Sequence, residues 1–221
     1  MRILLAGLFL LLSLSVQADE YLKLYQVAGW PQQRANFTQA LEAAQLRYRD
    51  TLPPALYQTL VDSSNRRFAA QAMDQRALDG LRSNLTNPEP ALQFFKGEVG
   101  SKIVTDEIHA SRGDQLAIYS KGLPRSEAGA ERRQLISELG KALPASEVGA
   151  EVGLALASVA ADSLSEMLPG VLGADQTQGV IDSQRERLQQ QINSDLDNTL
   201  LHIYRNLSDA DLERMVSKVG R

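Results

Sequence analysis

The chain has 221 residues, a formal net charge of −4 and no cysteine; 43% of its residues are hydrophobic and 5% aromatic. That length can bury one sizeable core or two small ones. The mildly acidic balance argues against nucleic acid and against docking on anionic lipid, and the missing cysteine excludes disulfides and thiolate metal sites.

The chain opens Met1-Arg2, runs apolar from Ile3 to Leu14 and turns small and polar over Ser15-Val16-Gln17-Ala18. That is the order of a secretory signal, and Val16 and Ala18 suit the two shallow pockets of a signal peptidase. Residues 1–18 are therefore expected to be removed, with cleavage after Ala18. The apolar run is shorter than the ~20 residues a spanning helix needs. No later segment is long and apolar enough, so no stable membrane anchor is expected after cleavage. A lipoprotein anchor would need a cysteine at the cut. Small secreted eukaryotic domains usually depend on disulfides, so the expected address is periplasmic or secreted from a bacterium.

Beyond the signal, helical spacing recurs and no segment alternates with period two over a strand's length. The predicted helices lie near 20–29, 32–49, 54–83, 87–96, 99–120, 125–141, 146–168, 177–206 and 209–219. Breaks are expected at Gly29-Trp30-Pro31, Pro53-Pro54, Gly97, Gly122 with Pro124, Pro144 and the Gly170–Gly179 loop. Three apolar stripes stand out. The first is Val99, Ile103, Val104 and Ile108, continued by Leu116 and Tyr119. The second is Val152, Leu156, Val159, Ser163, Leu164, Met167 and Leu168, stopped by Pro169-Gly170. The third is Leu188, Ile192, Leu196, Leu200, Ile203 and Leu207. The fold class is all-α, an irregular antiparallel helical bundle. It is divided into two similar sub-lobes, 19–122 and 123–221, packed as one unit.

Two internal echoes support the division. Leu-Pro-x-Ser-Glu-x-Gly-Ala-Glu occurs at 123–131 and again at 143–151, each copy predicted to start a helix. Thr86 with Glu89, and Ser208 with Asp211, each match the capping box, in which a hydroxyl and an acid three residues on satisfy two backbone N–H groups.

The segment Tyr204-Arg205-Asn206-Leu207-Ser208-Asp209-Ala210-Asp211-Leu212 resembles the signature of a family of exported helical proteobacterial proteins, a domain of unknown function. Members carry Leu-Ser-x-x-Glu-Leu, then an aromatic pair, Ser-Pro-x-Gly and a further helix. Asp211 takes the place of the Glu, and Phe94-Phe95 with Gly100 and Lys102 resembles the aromatic-to-glycine part, with Gly97-Glu98 in place of Ser-Pro. The resemblance implies a helical fold and an exported location, and carries no activity. The family's following helix has no counterpart before Arg221. The apolar edge Met215, Val216 and Val219 is therefore expected to lie exposed unless 209–219 docks on the preceding long helix.

A search for chemistry finds no Gly-x-Ser-x-Gly, Ser-x-x-Lys, His-Glu-x-x-His or Gly-x-Gly-x-x-Gly. Gly97–Lys102 looks like a phosphate loop, but its spacing is wrong and no strand precedes it. Asp106 and His109 share a helix face at a spacing used in carboxylate-bridged metal sites. The other histidine, His202, has no acid three or four residues before it, so no metal site is expected. Acids such as Asp106-Glu107 and Glu147-Glu151 occupy ordinary helical positions. Tyr21, Tyr25, Trp30, Phe37 and Tyr48 crowd the N-terminal third and read as packing rather than as a ligand-stacking groove. No catalytic, cofactor-binding or metal residue and no cofactor is expected.

The expected function is a non-catalytic envelope binding or interaction protein. Its partner would be an envelope protein, or a second copy bound through the C-terminal helices. The alternative is a hydrolase-type enzyme whose site is assembled only in three dimensions.

Overall fold

The computed structural model describes residues 20–167 and 174–219, and every regular element among them is an α-helix. In order these are α1 (20–27), α2 (Trp30–Tyr48), α3 (Pro54–Arg67), α4 (Ala70–Asn84), α5 (Glu89–Lys96) and α6 (Glu98–Ala110). They continue as α7 (Gly113–Ile118), α8 (Ala130–Ala142), α9 (Ala145–Met167), α10 (Ala174–Ile203) and α11 (Asp209–Val219). The expected signal 1–18, the Pro169-Gly170 stop and Gly220-Arg221 lie outside the described residues, as do the side chains of Leu156, Ser163, Leu164, Met167 and Leu168.

α9 and α10 run antiparallel: Ile192 seats on Gly149 and Leu188 on Gly153, and Arg185 bonds Glu151 at 2.6 Å. The α10 stripe read from the sequence is thus the face that packs. Leu200 and Leu207 of that stripe, with Tyr204 beside them, join Val99 and Ile103 of α6, Ile136 and Leu139 of α8, and Leu212 and Met215 of α11 in the larger core, and Ile203 packs partly buried against it. A smaller cluster joins Leu41 of α2, Leu60 of α3 and Val159 of α9, with Phe37 and Phe68 against it. Both clusters draw residues from either side of position 122. At its edge Gln45 and Ser64, both buried, bond each other at 2.6 Å, so neither polar group is left unpaired.

The structure departs from the expected elements at identifiable places. The helix predicted over 54–83 is broken at Phe68-Ala69, where Phe68 leaves helical geometry and packs edge-on against Phe37 at 5.3 Å. The helix predicted over 99–120 stops at Ala110. There the Asn36 amide donates to the Ser111 hydroxyl and to the Ile108 carbonyl, an acceptor that a continuing helix would have used. The turn redirects α7, so Leu116 and Ile118 are exposed rather than buried with Val99, Ile103 and Val104. Val152 is exposed as well; the buried face of α9 carries Ala150, Leu154 and Val159.

The two nonapeptide copies do not share a conformation. In the second, α9 starts directly after Pro144. In the first, residues 122–129 are not helical and α8 starts only at Ala130. Asn198 of α10 explains the difference, because its amide oxygen accepts the Ser126 N–H and its nitrogen donates to the Pro124 carbonyl. Tertiary hydrogen bonds here override a local start signal.

The capping echo also splits. Ser208 and Asp211 form the reciprocal box: Asp211 N–H donates to Ser208 Oγ at 3.1 Å and Ser208 N–H to the Asp211 carboxylate at 3.4 Å. Leu207 and Leu212, both buried in the larger core, flank that cap as its hydrophobic staple. Thr86 makes no such bond; Asn87 instead accepts the Glu89 N–H at 3.0 Å, and Pro88 leads into α5. Finally, α11 docks mainly on α8 and then on α6, and Leu212 and Met215 are buried in one cluster with Leu200 and Leu201 of α10. Of the apolar edge expected at the surface, Met215 is therefore buried in the core and Val216 packs partly buried against it, while the Val219 side chain lies outside the described residues.

Two glycines set the geometry around α6. Gly29, with φ +75, turns the chain between α1 and α2, and a Cβ there would come within 2.6 Å of Val104. Gly100 lies so close to the end of α5 that a Cβ would meet the Phe94 carbonyl oxygen at 2.2 Å.

Candidate functional site

One side of α6 faces the C-terminal turn of α10 across a cleft of about 490 Å³. Leu116, Leu123, Leu143, Leu200 and Ile203 supply apolar wall. Into it come Glu107 and His109 from α6, Tyr119 from the end of α7, His202 from α10 and Tyr204 from the turn that follows it.

Glu107 is the anchor. Tyr204 donates its hydroxyl to Glu107 Oε1 at 2.7 Å, and Gln33 of α2 donates to Oε2 at 3.4 Å. Burial raises the Glu107 pKa above its ordinary 4.5 and the neighbouring Asp106 raises it further, while the bonds from Tyr204 and Gln33 pull it back. Tyr204 is 3% exposed, and its pKa is pushed far up by burial and by the Glu107 charge, so it remains a donor at any ordinary pH.

The imidazole of His202 stacks edge-on with Tyr119 at 4.6 Å, and Arg205 Nη1 stands 3.2 Å from its Nε2. Burial first, then the Arg205 charge and the neighbouring His109, hold His202 below the usual imidazole pKa. Two hydroxyls also line the cleft. Ser111 donates to the Ile108 carbonyl at 3.1 Å and Thr199 to the Asp195 carbonyl at 3.0 Å.

The Asp106–His109 pair read from their spacing is not used as a pair. Asp106 accepts a bond from Asn206 at 3.0 Å, whereas His109 lines the cleft with His202. Among the described residues no group of three or more His, Cys, Asp or Glu could hold a metal ion. Sequence reasoning passed over Glu107, Tyr204 and Gln33. The available signal was Tyr204 itself, a polar-tipped ring four residues after Leu200 on a buried stripe, whose hydroxyl required a partner.

The turn that carries Tyr204 is clamped from α8. Arg132 donates to the carbonyls of Tyr204 at 2.8 Å and Leu207 at 3.0 Å, and pairs with Asp209 at 2.6 Å. Such an arginine satisfies the orphan acceptors at a helix C-terminus. The resembling segment 204–212 thus has a structural role, closing one helix and starting the next. No protein-family model, curated protein or solved structure matches the chain.

Proposed function

We propose that the protein is a non-catalytic binding protein of the cell envelope, its ligand held in the cleft between α6 and the end of α10. One observation carries this reading: the cleft sets Glu107, Tyr204 and two histidines in apolar walls, yet its serine and threonine hydroxyls, Ser111 and Thr199, are committed to backbone carbonyls rather than to a base. Such a site offers recognition without an activated serine or threonine. The ligand it suits is small and largely apolar, with a hydrogen-bond donor for the Glu107 carboxylate or the neutral His202 ring. The signal-like order of residues 1–18 and the resemblance at 204–212 support the envelope address.

The raised pKa of Glu107 favours a second reading, a hydrolase in which that acid transfers protons. One experiment separates the two. The cleaved protein is incubated with an envelope extract, and small molecules that co-purify are identified and quantified. A ligand retained stoichiometrically and recovered chemically intact, and lost in Leu200→Trp, supports binding. A compound returned in altered form, with conversion abolished and retention kept in Glu107→Gln, assigns the hydrolase instead. No retained compound overturns both.

A further inference from the structure

A second cleft, of about 480 Å³, opens on the other side of α2. Trp30 and Phe37 of α2 face Tyr25 of α1, Phe68, and Met73 of α4, with Val152 of α9 at the far wall. The rings are fixed edge-on: Tyr25 against Trp30 at 5.6 Å and 83°, Phe37 against Phe68 at 5.3 Å and 70°. Edge-on pairs leave ring faces for a third aromatic, the geometry that favours offset or T-shaped stacking of a guest. The aromatics read as packing from the sequence therefore divide. Tyr21 is spent on the Leu85 carbonyl and Tyr48 is exposed, but Tyr25, Trp30 and Phe37 form a wall.

The charged groups of this wall are already paired. Arg34 pairs with Asp74 at 2.5 Å, and the Tyr25 hydroxyl donates to the same carboxylate. Glu151 accepts from Arg185, and Gln33 donates to Glu107. A charged guest would give up its hydration with no unspent counter-ion in exchange. A neutral one would exchange apolar surface for ring contact. The volume is that of a small-molecule site.

We propose that this aromatic cleft is a ligand site distinct from the one at Glu107, and that it takes a small, neutral, planar aromatic molecule. It stands whatever the outcome at the Glu107 cleft, because the walls share only Gln33.

Trp30 is the chain's one tryptophan, so its emission reports on this cleft alone. The probe is N-phenylnaphthylamine, neutral and aromatic, titrated into the full mature chain while Trp30 emission is followed. The expected result is saturable one-to-one quenching with energy transfer to the probe. Ala77→Leu and Ala155→Leu fill the cleft from opposite walls and retain good helix formers; each should weaken the probe by about tenfold or more. Ile118→Ser, an exposed side chain elsewhere, controls for surface adsorption and should change nothing. Anilinonaphthalene sulfonate, the anionic counterpart, should bind at least about tenfold more weakly than the neutral probe.

Quenching that fails to saturate, or that survives in both filled variants once each is shown to melt as the parent does, overturns the site. An anion bound as tightly as the neutral probe overturns the ligand class. Concentration-dependent self-association that shields Trp30 from the probe assigns the cleft to a second copy and overturns the proposal as well.

Discussion

At Glu107 a carboxylate is held among apolar side chains with two donors, Tyr204 and Gln33, so its charge is partly compensated while burial favours the protonated form. The sign of the resulting pH dependence follows from linkage. A folded-state pKa raised above the ordinary 4.5 favours the folded protein most below that value, and the contribution is lost as pH rises through the raised pKa. Glutamine copies the protonated acid and cannot ionise. Glu107→Gln should therefore be relatively more stable than the parent at pH 7 than at pH 4, as read from melting temperatures across that range. A difference independent of pH would show that Glu107 is as well solvated folded as unfolded. Asp211 acts in the opposite sense. The Ser208 hydroxyl first, and then its backbone N–H and Lys102, lower its pKa below 3.8, so its contribution is present above that value and lost as pH falls through the depressed one. Glu107 was not distinguishable from the other acids in the sequence, because burial is decided by elements far away along the chain. Asp211 alone was legible, through its spacing from Ser208.

Among the elements, the two predicted caps make a matched pair. Ser208→Ala removes a formed reciprocal cap and should cost about 1 kcal/mol, whereas Thr86→Ala, at an exposed residue without a capping bond, should fall within about 0.5 kcal/mol of the parent. Urea denaturation of both variants measures the contrast, and equal losses would contradict it. The α5–α6 junction is tighter still. Gly100→Ala places a methyl group against the backbone of Phe94 and Phe95, which cannot rotate away as a side chain could. The two helices must separate, at a cost of about 3 kcal/mol, the upper range for overpacking; an unchanged denaturation midpoint would show that the junction yields freely. These examples mark how far local pattern reaches. Helix existence followed from apolar period and breakers, and α11 was predicted at its observed bounds. The breaks at Phe68 and Ser111 and the extended start of α8 were not legible. Each is imposed by a partner distant in sequence: Phe37, Asn36 and Asn198. Two nearly identical nonapeptides in different conformations make the same point within one chain.

For the molecule as a whole, the consequential placement is α11. Leu212 is 0% exposed and sits with Ile136 and Leu139, so this short helix completes the larger core. Leu212→Ala should cost about 3 kcal/mol through lost burial and the cavity left behind. Hydrogen exchange should find amides 212–219 protected with those of 188–203 in one cooperative unit. Early exchange confined to α11 would place it outside that unit. The interleaving that puts α6 and α11 in one cluster also orders events in time. Val99 and Ile103 leave the ribosome well before Ile136, Leu139 and Leu212 follow to cover them, and the Tyr204–Glu107 bond spans 97 residues. Contacts of that separation form only after the intervening chain is present. The nascent protein thus carries helices with nothing yet to close upon, and neither the larger core nor the Glu107 cleft can exist until the C-terminal turn at Ser208 has been delivered.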